Sequence, residues 1–181
     1  MGKAPNKKLI LLSDISGLKN TKWISAYVEI LSSEFEVITY CSLTLAGISP
    51  DQTKEEIHQQ FVNGGFDKAS EKLVKLQSGP ATLLGFSLGG VIAWKAGILG
   101  LQIDNFYAVS STRLREETRK PIGELKLIFG EDDIHKPDDA WYHEMEIIPK
   151  VLANQSHELY KKDEFIKQFA SQVIWANGII Y

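Results

Sequence analysis

The chain has 181 residues, of which 44% are hydrophobic and 24% charged, with a net charge of −3. That length suits one domain with a sizeable core, and the mild negative charge, with no basic stripe, excludes nucleic acid as the expected partner. Cys41 is the only cysteine, which excludes a disulfide framework and a cysteine-based zinc site.

Lys8-Leu9-Ile10-Leu11-Leu12-Ser13 is a continuous apolar run of the kind that forms a strand buried on both faces. Its apolar part is too short for a signal peptide, and Asn6 stands where a myristoylation signal needs Ser or Thr. No stretch is long enough to span a membrane, so the expectation is a cytoplasmic protein with no membrane partner. A loop over 14–20 follows, and then a helix over 21–32 with Trp23, Ile24, Tyr27, Val28 and Leu31 as its apolar stripe. Residues 36–40 form the second predicted strand, and 41–49 read as an apolar loop containing Leu43, Leu45 and Ile48. Ser49-Pro50 reads as a helix start, with a serine cap and proline at the first helical position. That helix breaks at Asn63-Gly64-Gly65, and a further helix runs to about Gln77.

The third strand, 81–85, runs into Gly85-Phe86-Ser87-Leu88-Gly89, and a helix to about Leu99 begins at once. A serine that must stand clear of its own backbone needs a sharp turn, and side chains two residues either side would collide across it. Glycine at 85 and 89 removes those Cβ atoms, and the helix start aims N–H groups and a positive dipole end at the serine. Strand four is 105–110 and strand five 126–129, with a short charged segment over 111–125 between them. Within it Arg113, Arg115 and Arg119 interleave with Glu116 and Glu117, which fits either a solvated helix with i,i+4 pairs or a basic rim for an anionic substrate. A helix over 138–145, a sixth strand near 149–153 and a last helix over 163–176 complete the chain.

Strands alternating with helices call for an α/β three-layer sandwich, a mainly parallel six-stranded sheet of order 2-1-3-4-5-6 with helices on both faces. That order sets the loop after strand one opposite Ser87, at the switch point where open α/β sheets bind ligands. A serine nucleophile needs a base, and the base an orienting acid, on loops at the same edge. The loop after strand five holds Asp132, Asp133 and His135, and the loop after strand six holds His157. His135 is too close in sequence to the acid to reach back as base, and His58 and His143 sit in predicted helices as surface or partnered side chains.

With Gly85-Phe86-Ser87-Leu88-Gly89-Gly90, Gly130-Glu131-Asp132-Asp133 followed by Pro137, and Ser156-His157-Glu158-Leu159, the chain resembles the α/β-hydrolase family over nearly its whole length. It looks like a small member without the first two strands or a cap domain, one domain over 1–181. The resemblance implies a serine hydrolase acting on a small carboxylic ester or thioester, with Ser87 as nucleophile, His157 as base and Asp133 as the orienting acid. Asp132 is the competing acid. The resemblance also implies an oxyanion hole from the backbone N–H groups of Ile15 and Leu88, and no metal or organic cofactor. Leu43 and Leu45 lie on the active edge by topology and fit either an acyl pocket or the core, and Arg113 is the candidate rim residue. One departure stands out: Ser13-Asp14 occupies the place of the family's His-Gly. An aspartate near an oxyanion is unfavourable unless it points away or is paired. That feature favours the alternative of a weakly active or inactive scaffold that binds a small molecule or a protein.

Overall fold

The computed structural model describes residues 7–19 and 21–178. Asn6, and Asn20 at the end of the first loop, lie outside the described residues. Six strands, β1 (Lys7–Leu12), β2 (Phe35–Tyr40), β3 (Ala81–Phe86), β4 (Ile103–Val109), β5 (Glu124–Gly130) and β6 (Lys150–Leu152), form one sheet of order 2-1-3-4-5-6. Every neighbouring pair is parallel. All C-terminal strand ends therefore lie on one edge.

The pleat turns alternate residues of each apolar run to opposite faces. Leu9 and Leu11 pack with α1 (Lys22–Leu31) and α7 (Asp163–Ala176). Ile10 and Leu12 pack on the other side with α2 (Ser42–Ala46), α4 (Phe66–Leu76), α5 (Leu88–Ile98) and α6 (Asp139–Met145). This is a three-layer sandwich. Helix α5 has no polar side: Leu88 through Trp94 are all buried, because α4 covers what the sheet does not. The indole N–H of Trp94 is satisfied by the carbonyl of Arg119 at 2.9 Å.

Three local expectations are corrected. The apolar stretch after β2 is helical at its centre, where α2 buries Leu43, Leu45 and Ala46 against α4 and α5. Ser49-Pro50 does not start a helix, because Ser49 Oγ accepts the N–H of Asp51 within a turn. Helix α3 (Lys54–Gln60) starts after Thr53, whose side chain accepts from Glu56 N–H while Glu56 accepts from Thr53 N–H. That reciprocal box satisfies two N–H groups that proline cannot help with. The third correction lies between β4 and β5, where no crossover helix forms. The segment has a single 3₁₀ turn, Thr112–Glu116, and is then irregular, tied down by Trp141 and Trp94, whose ring N–H groups donate to the carbonyls of Glu117 and Arg119. The expected i,i+4 pairs are replaced by one adjacent pair, Arg115 with Glu116 at 3.2 Å.

Candidate active site

Ser87 follows β3 and precedes α5, with φ 51° and ψ −112°. An L-residue is strained there, and the turn persists because its surroundings allow nothing larger. A Cβ on Gly85 would sit 2.5 Å from the backbone of Gly90, and one on Gly89 would sit 2.5 Å from the carbonyl oxygen of Leu12. Ser87 N–H donates to the carbonyl of Val109 at 2.9 Å, tying the turn to β4.

The loop after β5 presents two aspartates in different settings. Asp132 is exposed, and its N–H donates to the carbonyl of Gln155. Asp133 is 4% exposed, with Oδ1 accepting from His135 N–H at 3.2 Å and Oδ2 lying 2.7 Å from His157 Nδ1. The remaining ring nitrogen, Nε2, is 3.1 Å from Ser87 Oγ. A carboxylate only accepts, so Nδ1 carries the imidazole proton and Nε2 accepts from the serine hydroxyl. Burial pushes the Asp133 carboxyl up, but the hydrogen bond and charge of His157, together with the His135 N–H, outweigh it and hold the group below the ordinary carboxylate range.

Gly130 makes this convergence sterically possible. The His157 loop crosses the end of β5 so closely that a Cβ on Gly130 would meet the Gln155 carbonyl oxygen at 2.1 Å. Replacing Gly130 with alanine is expected to destabilise the chain by about 1–3 kcal/mol through overpacking. Displacement of His157 by about an ångström should cost roughly 10²-fold in turnover of an ester besides. Urea midpoints and kcat measured on the same preparation check both. A variant with wild-type kcat would mean that the loop has another support.

Asp14 is 1% exposed, and its carboxylate is fully engaged. Oδ2 accepts from Tyr160 Oη at 3.0 Å and pairs with Lys161 Nζ at 3.1 Å, while Oδ1 accepts from Ser16 N–H at 3.0 Å. Tyr160 and Lys161 belong to the 3₁₀ segment His157–Lys161. The aspartate thus joins the loop after β1 to the segment that carries His157, and its charge is paired. Burial pushes the Tyr160 hydroxyl far up, helped by Asp14, so it stays a donor to that carboxylate.

A cavity of about 200 Å³ opens over these groups. Ile15, Ser87, Leu88 and His157 line it, and so do Val91, Thr112, Arg113 and His58. Ile15 and Leu88 flank Ser87 from the ends of β1 and β3, and Leu88 opens α5, where helical N–H groups lack intrahelical partners. Leu43 and Leu45 do not line the cavity. At 3% and 2% exposure they are core residues, since α2 turns them onto α4. His58 is the residue that sequence reasoning passed over. It sits on polar α3, whose pattern gives no hint that the crossover from β2 to β3 bends over the site. Burial and the charges of Arg113 and Arg115 hold His58 below the ordinary imidazole range. Larger hollows exist, such as a groove of about 350 Å³ lined by Tyr107, Ile128, Phe169 and Trp175, but Ser87 and His157 do not line it. Chemistry rather than volume marks the smaller cavity as the candidate site. Among the described residues, no group of three or more His, Cys, Asp or Glu is placed to hold a metal ion, and no helix is long and apolar enough to cross a membrane.

No protein-family model and no curated protein sequence matches the chain. Solved structures do. A predicted CIB-like hydrolase from Thermoplasma acidophilum aligns with TM-score 0.66 at 17% identity, over 96% of this chain and 89% of that one. Alpha/beta hydrolase domain-containing protein 10 from mouse aligns with TM-score 0.67 at 13% identity, over 98% and 91%. A monoacylglycerol lipase from Paleococcus ferrophilus aligns with TM-score 0.62 at 11% identity, over 95% of each chain. The chain therefore has a reduced form of the α/β-hydrolase fold. Identities this low establish the fold and leave the activity to the site.

Proposed function

We propose that this protein is a serine hydrolase that cleaves a small carboxylic ester or thioester through an acyl-enzyme on Ser87. The observation that carries the reading is the unbroken series Ser87 Oγ, His157 Nε2, His157 Nδ1 and Asp133 Oδ2, with separations of 3.1 Å and 2.7 Å across its two gaps. Ser87 Oγ attacks the carbonyl carbon while His157 Nε2 takes its proton. The developing oxyanion is stabilised by the N–H groups of Ile15 and Leu88, aided by the positive end of α5. His157 returns the proton to the leaving alkoxide or thiolate. Water then adds to the acyl-enzyme by the same route, releasing the acid and restoring Ser87. Asp133 holds the imidazole in the tautomer this requires and stabilises the imidazolium that forms. The pairing of Asp14 with Tyr160 and Lys161 supports the reading, because the carboxylate's charge is paired with a cation and a hydroxyl donor. Covalent labelling by a fluorophosphonate tests the reading, and a protein that does not label would be a binding scaffold instead.

The cavity is small, and the β4 to β5 connection supplies only a 3₁₀ turn beside it. A methylene outside it gains little of the ~0.8 kcal/mol that full burial gives. Among p-nitrophenyl esters, activity is expected to peak between acetate and butyrate and to decline for longer chains, with no activation at a lipid interface. A kcat/KM that climbs steadily through eight or more carbons would contradict this and point to an acyl channel that opens on binding.

A further inference from the structure

The carboxylates around the cavity already have partners. Asp133 is bonded to His157, Asp14 to Lys161, Glu116 to Arg115 at 3.2 Å, Glu117 to Lys95 at 3.4 Å, and Glu158 to Lys161 at 2.7 Å. Arg115 is further occupied by the carbonyls of Thr112 and His135. Arg113 differs from it. It is half-buried, lines the cavity beside Ser87, and among the described residues its guanidinium is in no salt bridge or side-chain hydrogen bond. This occurs in a chain with more acidic residues than basic ones, 23 against 20, so the lack of a partner is a matter of placement rather than supply.

His58 lines the same cavity from α3, where burial first, and then the charges of Arg113 and Arg115, hold it below the ordinary imidazole range. A half-buried arginine with no counter-ion among the described residues, lining one cavity with an imidazole, is a binding arrangement for an anion. The guanidinium supplies charge and a two-pronged donor, and the imidazole supplies a further N–H. Ile15, Leu88 and Val91 give the same cavity an apolar lining suited to a few methylenes.

We propose that Arg113 and His58 form an anion subsite beside Ser87, and that the natural substrate is an ester or thioester carrying a carboxylate a few bonds from its scissile carbonyl. This rests on the hydrolase reading above and narrows it to a substrate class. The substrate's carboxylate docks on Arg113 and positions the carbonyl over Ser87. Hydrolysis itself proceeds as described, with water consumed and one acid and one alcohol or thiol released.

Initial rates followed by acid release in a pH-stat test the substrate class. Monomethyl succinate places the charge on the acyl side, acetoxyacetic acid places it on the alcohol side, and methyl butyrate and ethyl acetate, with a methyl group in place of the carboxylate, are their uncharged counterparts. At least one charged ester is expected to exceed its counterpart in kcat/KM by about tenfold or more, the scale of one charge-assisted hydrogen bond. Arg113→Gln should collapse that ratio by a similar factor, Arg113→Lys should retain part of it, and His58→Asn should reduce it to a smaller extent. The arm that responds assigns the charge to the acyl or the alcohol side. A wild-type ratio at or below one in both arms, or a ratio that survives Arg113→Gln, overturns the subsite while leaving the hydrolase reading intact. If none of the esters is cleaved, the hydrolase reading is what fails, and calorimetry then decides the subsite alone. Succinate should bind Ser87→Ala and lose that binding when Arg113→Gln is added. No heat with Ser87→Ala, or equal binding by both proteins, overturns the proposal.

Discussion

Replacing Ser87 with alanine is expected to lower kcat on a short p-nitrophenyl ester by about 10⁶-fold, the scale seen when a triad nucleophile is deleted. The same change should abolish covalent labelling by a fluorophosphonate. Ser87 Oγ is the hydroxyl within 3.1 Å of His157 Nε2, and other serines near the site are not equivalent. Ser110 and Ser111 are completely buried at the end of β4, where a reagent cannot reach them. The backbone strain at position 87 is common to serine and alanine, so the variant should unfold at nearly the wild-type temperature. That separation is what makes the test informative, because an intact fold without labelling isolates the hydroxyl. A variant that still labels would sink the assignment of Ser87 as nucleophile.

The Asp133→Asn substitution is expected to lower kcat by roughly 10⁴-fold, as in triads where the orienting carboxylate becomes an amide. The reason is the tautomer. Asparagine can turn an N–H toward His157 Nδ1, which places the imidazole proton on Nε2 and leaves no base facing Ser87 Oγ. Asp132→Asn should change kcat by less than about twofold, because the Asp132 carboxylate is exposed and its structural contact is made by its backbone N–H. The reverse ranking would mean the loop is used in another register. A stability signature accompanies this. Net of its burial, Asp133 is held below the ordinary carboxylate range by His157 and the His135 N–H. Its contribution to stability is therefore fully present above the unfolded value, about 3.9, and is lost as pH falls through the lower folded value. The part of the stability gap between wild type and Asp133→Asn that comes from this carboxylate should narrow in acid solution, below about pH 4, which urea midpoints measured across that range would check.

Much of this arrangement is written in local signals. The apolar runs at Leu9 to Leu12 and Ala81 to Leu84 announce buried parallel strands, because a strand covered on both faces needs no polar alternation. The glycines flanking Ser87 announce a tight turn, since the backbone contacts that forbid a Cβ there are made within the turn and against the neighbouring strand. Once strands and crossovers are placed, the parallel order puts Ser87, Asp133 and His157 at one edge. Contacts of this kind depend on a few adjacent residues and on handedness, both of which a sequence carries. Less local features were misread. The start of α3 went to the Thr53–Glu56 box over Ser49-Pro50, and the segment after β4 stayed irregular because two distant tryptophans, Trp94 and Trp141, hold its carbonyls.

What the sequence by itself determined is therefore the layered α/β frame, the elbow and the order of the three hydrogen-bonded side chains. Only the tertiary structure decided the surroundings of those side chains. It turned the carboxylate of Asp14 onto Tyr160 and Lys161, residues nearly the whole chain away, so that its charge is paired. It drew Leu43 and Leu45 into the core, and it brought to the cavity, from two separate crossovers, His58 and an Arg113 that is unpaired among the described residues. The physical reason is common to all of these. Propensity and periodicity act over a turn or two of chain, whereas the pairing of a charge and the burial of a side chain depend on whichever distant groups the packing places alongside.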